Sequence, residues 1–193
     1  MASNTLGADQ LPLMPPGTQS NAVATMPNPR PRHEVYDTQP QGTSALLLAE
    51  LTKPFHQKLI EEAKNSLESS LFEMAVVLSQ AASEMCTEWA LTGLFAMRGD
   101  SDLTDPILGL FQVTDICNDR VHTIYSALSG DSPKQMPFWA GLKSHRDRRN
   151  DLVHRGMKPS PSEATESVAV VNQYLDHVER VLSGLQEKQP QKR

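Results

Sequence analysis

Three side chains in one short stretch, Arg149-Asn150-Asp151-Leu152-Val153-His154, have the types and spacing to do chemistry on a phosphate. An imidazole titrates close to physiological pH, which suits proton transfer. A guanidinium offers a planar fork of donors matched to a phosphate or carboxylate. Asn150 and His154 are four residues apart, so on a helix they share a face and the amide can hold the ring in one orientation. His154 falls in a last helical turn, where the helix dipole favours the imidazolium. Arg149 and His154 are five apart and do not stack directly. They flank one pocket only if the arginine extends or a second subunit closes the site. The same residues also have a plain structural reading, an arginine paired inside a bundle and a histidine at a solvated helix end.

A helix must carry these groups. Phe138, Leu142, His145, Arg149 and Leu152 recur at heptad-like spacing, so Arg149 lies on or beside a buried stripe. A buried guanidinium is costly without an acceptor, so either a structural partner or an anionic ligand is expected for it. Arg148 is a rival, since its distance from His154 also fits; Arg149 is preferred because Asn150 follows it directly.

The surrounding pattern is all-α: an up-and-down bundle of four to five helices over residues 44–186, behind a proline-rich, disordered tail at 1–43 and before a frayed tail at 187–193. Leu46, Leu47, Leu48 and Leu51 suggest a short helix, and Pro54 restarts the chain with Phe55, Leu59, Ile60 and Ala63 at helical spacing. Ser70-Leu71-Phe72-Glu73 matches a capping box opening a helix that runs to about Met97, apolar almost all round and therefore central. Asp105-Pro106 opens another, carrying Ile107, Leu110, Phe111, Thr114, Cys117, Val121, Ile124 and Leu128 to a close at Gly130. A helix from about Pro137 to His154 closes at Gly156. Ser160-Pro161-Ser162-Glu163 is a second capping box. It begins a helix with Ala164, Val168, Val171, Leu175, Val178, Leu182 and Leu185 on one side, facing a partner helix of the same chain or of a second copy.

With the motif on a helix end, the segment resembles the Arg-x4-6-His motif of the HEPN superfamily (higher eukaryotes and prokaryotes nucleotide-binding). Asn150 stands where the family prefers a polar residue after the arginine, and Arg155-Gly156 is similar to the helix end of many members. The run from Leu67 to Leu91, including Ala75-Val76-Val77 and Ala81-Ala82-Ser83-Glu84, resembles the family's long second helix, so the likeness covers roughly Thr52 to Leu185. The resemblance implies a dimer in which two motifs meet, and a metal-independent endoribonuclease of a toxin or antiviral system. Arg149 would hold the scissile phosphate. His154 would act as general acid or base while the ribose 2′-hydroxyl attacks, and Asn150 would orient the imidazole or bind the phosphate. The products would be a 2′,3′-cyclic phosphate and a 5′-hydroxyl. Glu84 sits where relatives often carry an acid that fixes the arginine, although a solvated edge with Glu73, Gln80 and Glu88 explains it equally well. Members controlled by an adenylylating antitoxin often carry a tyrosine two residues after the histidine; Gly156 stands there, which argues against a partner of that type and leaves other antitoxins or regulators open.

Composition limits the alternatives. The formal charge is −5, so the molecule as a whole is no obvious polyanion binder, yet from Lys134 to Lys158 basic residues outnumber Asp147 and Asp151. Cys86 and Cys117 lie in apolar patterns outside any metal-type cluster and read as reduced core thiols of a cytoplasmic protein. No metal, cofactor, membrane span or secretory leader is expected, and Gly-rich phosphate loops, HExxH and Ser-His-Asp arrangements do not occur. His122 and His145 read as structural, and Trp89 and Trp139 as core or interface residues. The expected partners are RNA and a second copy of the chain. The alternative is a non-catalytic HEPN-like module for RNA or nucleotide binding or for dimerisation, or a plain protein-interaction bundle, because the acidic body offers no broad nucleic-acid surface.

Overall fold

A computed structural model describes residues 53–111 and 114–188. The proline-rich tail at 1–43, the short helix at Leu46 to Leu51 and the segment beyond Lys188 lie outside the described residues. Within them the chain is all-α: α1 Phe55–Glu68, α2 Phe72–Arg98, the five-residue α3 Thr104–Leu108, α4 Asp119–Ser129, α5 Trp139–Arg155 and α6 Pro161–Glu187. Short 3-10 turns occupy Ser101–Leu103 and Pro133–Gln135, and no strand is present among the described residues.

α2 is the central element. Ala75, Ala82, Cys86 and Ala90 are fully buried on it, and such small side chains let α1 and α6 approach closely from two sides. α6 answers with Val168, Val171, Tyr174, Leu175, Val178 and Leu182, all buried. The last helix therefore finds its partners within its own chain. Thr87 and Tyr174 share a buried hydroxyl hydrogen bond of 2.8 Å between these two helices. α5 lies against α6, where a Cβ on Gly141 would come within 3.0 Å of Val170.

Two helix starts differ from the sequence pattern. Ser70 does not cap α2. It takes a left-handed φ of 58° and closes α1, with the Leu71 N–H donating to the Ser66 carbonyl at 2.8 Å. Glu73, freed from a capping role, pairs with Lys158 at 3.3 Å. The long helix expected from Asp105 to Leu128 is broken: α3 ends at Leu108, and α4 starts only at Asp119. Local side-chain bonds compete with the helix between them. Thr114 Oγ1 donates to the Glu84 carbonyl at 3.1 Å, Asp115 Oδ1 accepts from the Cys117 N–H, and Asn118 Oδ1 accepts from the Arg120 N–H to cap α4. Leu110, expected on an apolar stripe, is consequently 79% exposed.

The second capping box forms in full. Ser160 Oγ accepts from the Glu163 N–H, and Glu163 Oε2 accepts from the Ser160 N–H at 2.8 Å, which holds the Glu163 carboxyl below the usual carboxylate range. Ser160→Ala is expected to cost about 1 kcal/mol of unfolding free energy, measured by urea titration.

Candidate functional site

α5 starts at Trp139 and buries Leu142 and His145 against the rest of the bundle. Continuing that stripe by one turn brings Arg149 to the boundary between core and solvent, half-buried. α5 ends at Gly156 with a φ of 67°, a conformation that costs a residue with a side chain about 1 kcal/mol or more.

Arg149 and Asn150 line a cleft of about 490 Å³ between α2, α5 and the start of α4. Gln80 and Glu84 enter from α2; Arg146 enters from α5; Asp115 and Asn118 come from the connection that was expected to be helical, and Arg120 from the first turn of α4. Arg149 Nη1 donates to Asn150 Oδ1 at 3.2 Å, so the amide orients the guanidinium. Glu84 shares the cleft with Arg149, but its Oε1 accepts from Gln80 Nε2 at 2.7 Å, and no ion pair joins it to Arg149 among the described residues. Arg146 donates to the Cys117 carbonyl at 3.4 Å and to Asp147 at 3.1 Å. Three guanidiniums, of Arg120, Arg146 and Arg149, and two carboxylates, of Glu84 and Asp115, line the cleft, and Asp147 pairs with Arg146 from outside the lining. Burial pushes the Asp115 carboxyl up, against the Cys117 N–H and the positive charges of Arg146 and Arg149.

His154 lies elsewhere. It is exposed in the last turn of α5, is absent from the cleft lining, and makes no hydrogen bond to Asn150 among the described residues. Five residues turn a helix by about 140° beyond a full circuit, which carries the two side chains to different sides. Its neighbours Val153 and Met157 are exposed apolar residues, 51% and 57% accessible.

Arg148 is committed to structure. Its Nη1 donates to the buried Ser167 hydroxyl at 2.6 Å, and Nη2 reaches Glu166 at 3.4 Å, which ties α5 to α6. Arg148→Ala is expected to lower unfolding free energy by about 1–2 kcal/mol in a denaturant melt and to leave any anion affinity of the cleft unchanged.

Sequence reasoning singled out Arg149, Asn150 and Glu84, which share the cleft, and His154, which does not line it. It passed over Arg146, Asp115, Asn118 and Arg120. Arg146 was legible as the residue three before Arg149, one turn away on the same face. Asp115 and Asn118 carried a signal in being turn-forming residues three apart. Trp89 and Trp139 contact His56 and His122 through their rings rather than the cleft, and Cys86 and Cys117 are buried thiols pushed up by burial. No group of three or more His, Cys, Asp or Glu is placed to hold a metal ion among the described residues, and no helix among them is long and apolar enough to cross a membrane. Comparison with protein-family models, curated proteins and solved structures finds no match to this chain.

Proposed function

We propose that this chain is a metal-independent endoribonuclease of HEPN type, completed by twofold association and working in the cytoplasm as a defence or toxin component. The observation that carries the reading is Arg149: half-buried at a polar cleft, oriented by Asn150, and in no ion pair with a carboxylate among the described residues. A guanidinium in that state favours an anionic ligand, because a phosphate supplies the acceptors its surroundings lack.

The exposed His154 is consistent with a site shared between two copies. Glu73 and Lys158 bring the start of α2 to the close of α5, so exposed Leu71 and Met74 lie at the same end of the bundle as Val153 and Met157. Such apolar exposure suits burial against a second copy. In the dimer, Arg149 of one protomer neutralises the scissile phosphate. His154 of the second copy accepts the 2′-hydroxyl proton as the 2′-oxygen bonds to phosphorus. The bond to the 5′-oxygen breaks, that oxygen takes a proton from solvent and the His154 imidazolium returns its own to solvent, giving a 2′,3′-cyclic phosphate and a 5′-hydroxyl. A regulatory or antitoxin partner would act by covering this surface.

One observation favours a second reading. Because His154 lies outside the cleft, a non-catalytic module that binds RNA or a nucleotide through Arg149, or that serves dimerisation, is the alternative. Incubating the full chain with RNA in EDTA separates the two. Cleavage that survives chelation supports the nuclease; RNA retention without cleavage, weakened by Arg149→Ala, supports the binding module. If neither cleavage nor retention is seen, only the protein-interaction bundle is left.

A further inference from the structure

The cleft does not end at Arg120. Leu110, Phe111 and Arg120 also form one wall of a second depression, an apolar groove of about 470 Å³ completed by Ile107 and Ile124. The groove exists because the helix breaks: Leu110 is turned outward after α3, while Phe111 and Ile124 are only partly buried against the core. Leu110 is 79% exposed there, the most accessible of the large apolar side chains among the described residues. On the polar rim of the groove, Asp119 is paired with Lys134 at 2.8 Å and the Thr123 hydroxyl donates to the Asp119 carbonyl. Arg120 stands at the junction, facing both depressions.

We infer that this groove takes the base of an unpaired ribonucleotide whose phosphate lies against Arg149 in the adjoining cleft. The inference rests on the RNA reading proposed above and adds where the substrate's base sits. Two features select the occupant. A shared wall between a guanidinium cleft and an apolar groove fits a molecule that is anionic at one end and flat and apolar at the other. Four apolar side chains are too few to seat an amphipathic helix, which needs anchors over several turns, but they suffice for one ring system. A base held in a duplex cannot present its face to Phe111, so the groove selects single-stranded RNA.

The test titrates the full chain with adenosine 5′-monophosphate and with ribose 5-phosphate, which differ only by the base. The nucleotide is expected to bind about tenfold more tightly. Leu110→Ser and Phe111→Ala should abolish that preference, so that the nucleotide binds no more tightly than ribose 5-phosphate. Arg149→Ala should weaken both ligands alike. Leu110 is already exposed, so its variant remains informative if Phe111→Ala fails to fold. Equal binding of the two ligands, or a preference that survives both groove variants, overturns the base site while leaving phosphate binding at Arg149 standing. Dissociation of a dimer by Leu110→Ser, seen by sedimentation, overturns it by showing that a second copy covers the groove. Failure of the wild-type chain to bind either ligand overturns this inference and the RNA reading together.

Discussion

Arg149→Ala and His154→Ala should each reduce RNA cleavage by two to three orders of magnitude, and mixing the two inactive proteins should bring activity back. The size of the losses follows from the roles. Removing one preorganised donor from a developing oxyanion costs about a hundred- to a thousandfold, and removing a general acid or base costs about as much. The recovery follows from geometry. Arg149 faces the cleft and His154 does not, so a shared site draws the two groups from different protomers. A dimer of one Arg149→Ala chain and one His154→Ala chain then keeps one complete site out of two. With random pairing, about a quarter of wild-type activity should return. If both groups acted from one chain, every site in the mixture would lack one of them and nothing would return. Neither side chain is buried in the core, so melting temperatures of the variants should stay close to that of the parent.

The largest stability effect is expected at His145. Its ring is fully buried, and neither nitrogen has a hydrogen-bond partner among the described residues. Burial, with help from the charges of Arg148 and Arg149, lowers its pKa from 6.5 to about 4. The unfolded chain therefore takes up a proton on this residue before the folded chain does. Stability contributed by the neutral ring is complete above pH 6.5 and declines as the pH falls toward 4. A shift of that size corresponds to about 3 kcal/mol at the acid end. Urea titrations at pH 7.5, 6, 5 and 4 should show the decline, and His145→Leu should remove most of it. The same variant should be more stable than the parent at neutral pH, because leucine leaves no unpaired polar atom in the site. Burial also lowers the pKa of His122, so a smaller acid sensitivity should persist in the variant. An unchanged pH profile in His145→Leu would place the acid sensitivity elsewhere.

Most of the helical plan was legible because its signals are local. Pro54, Gly99, Gly130 and Gly156 punctuate the chain where helices begin or end, and Ser160 with Glu163 announces α6 through groups only three residues apart. The stripe from Phe138 to Leu152 also placed Arg149 at the edge of the core by counting turns. Ser70 misled because the same local pattern can cap the next helix or close the previous one. Which occurs depends on where the chain must go after Ser69, and that is settled by how α1 packs on α2.

The connection between α3 and α4 was not legible for a related reason. Ile107, Leu110, Phe111, Val121 and Ile124 repeat at helical spacing, so periodicity alone favours one long helix. Bonds to other elements, from Thr114 to the backbone of Glu84 on α2 and from Arg146 on α5 to the Cys117 carbonyl, are invisible to that pattern, yet they hold residues 114–117 against the bundle, with Ile116 fully buried. From that break come Asp115 and Asn118 in the cleft, beside Arg120 of α4, and Leu110 on the surface.

Residue order by itself determined the all-α class, most helix boundaries and the placing of Arg149 beside Asn150, since these depend on spacings of four residues or fewer. Only the tertiary structure decided that α6 packs inside its own chain, that Arg148 is tied to α6 while Arg149 opens on the cleft, and that His154 points away from it. Those outcomes depend on which helix lies opposite, and the competition among packing partners is a property of the whole bundle.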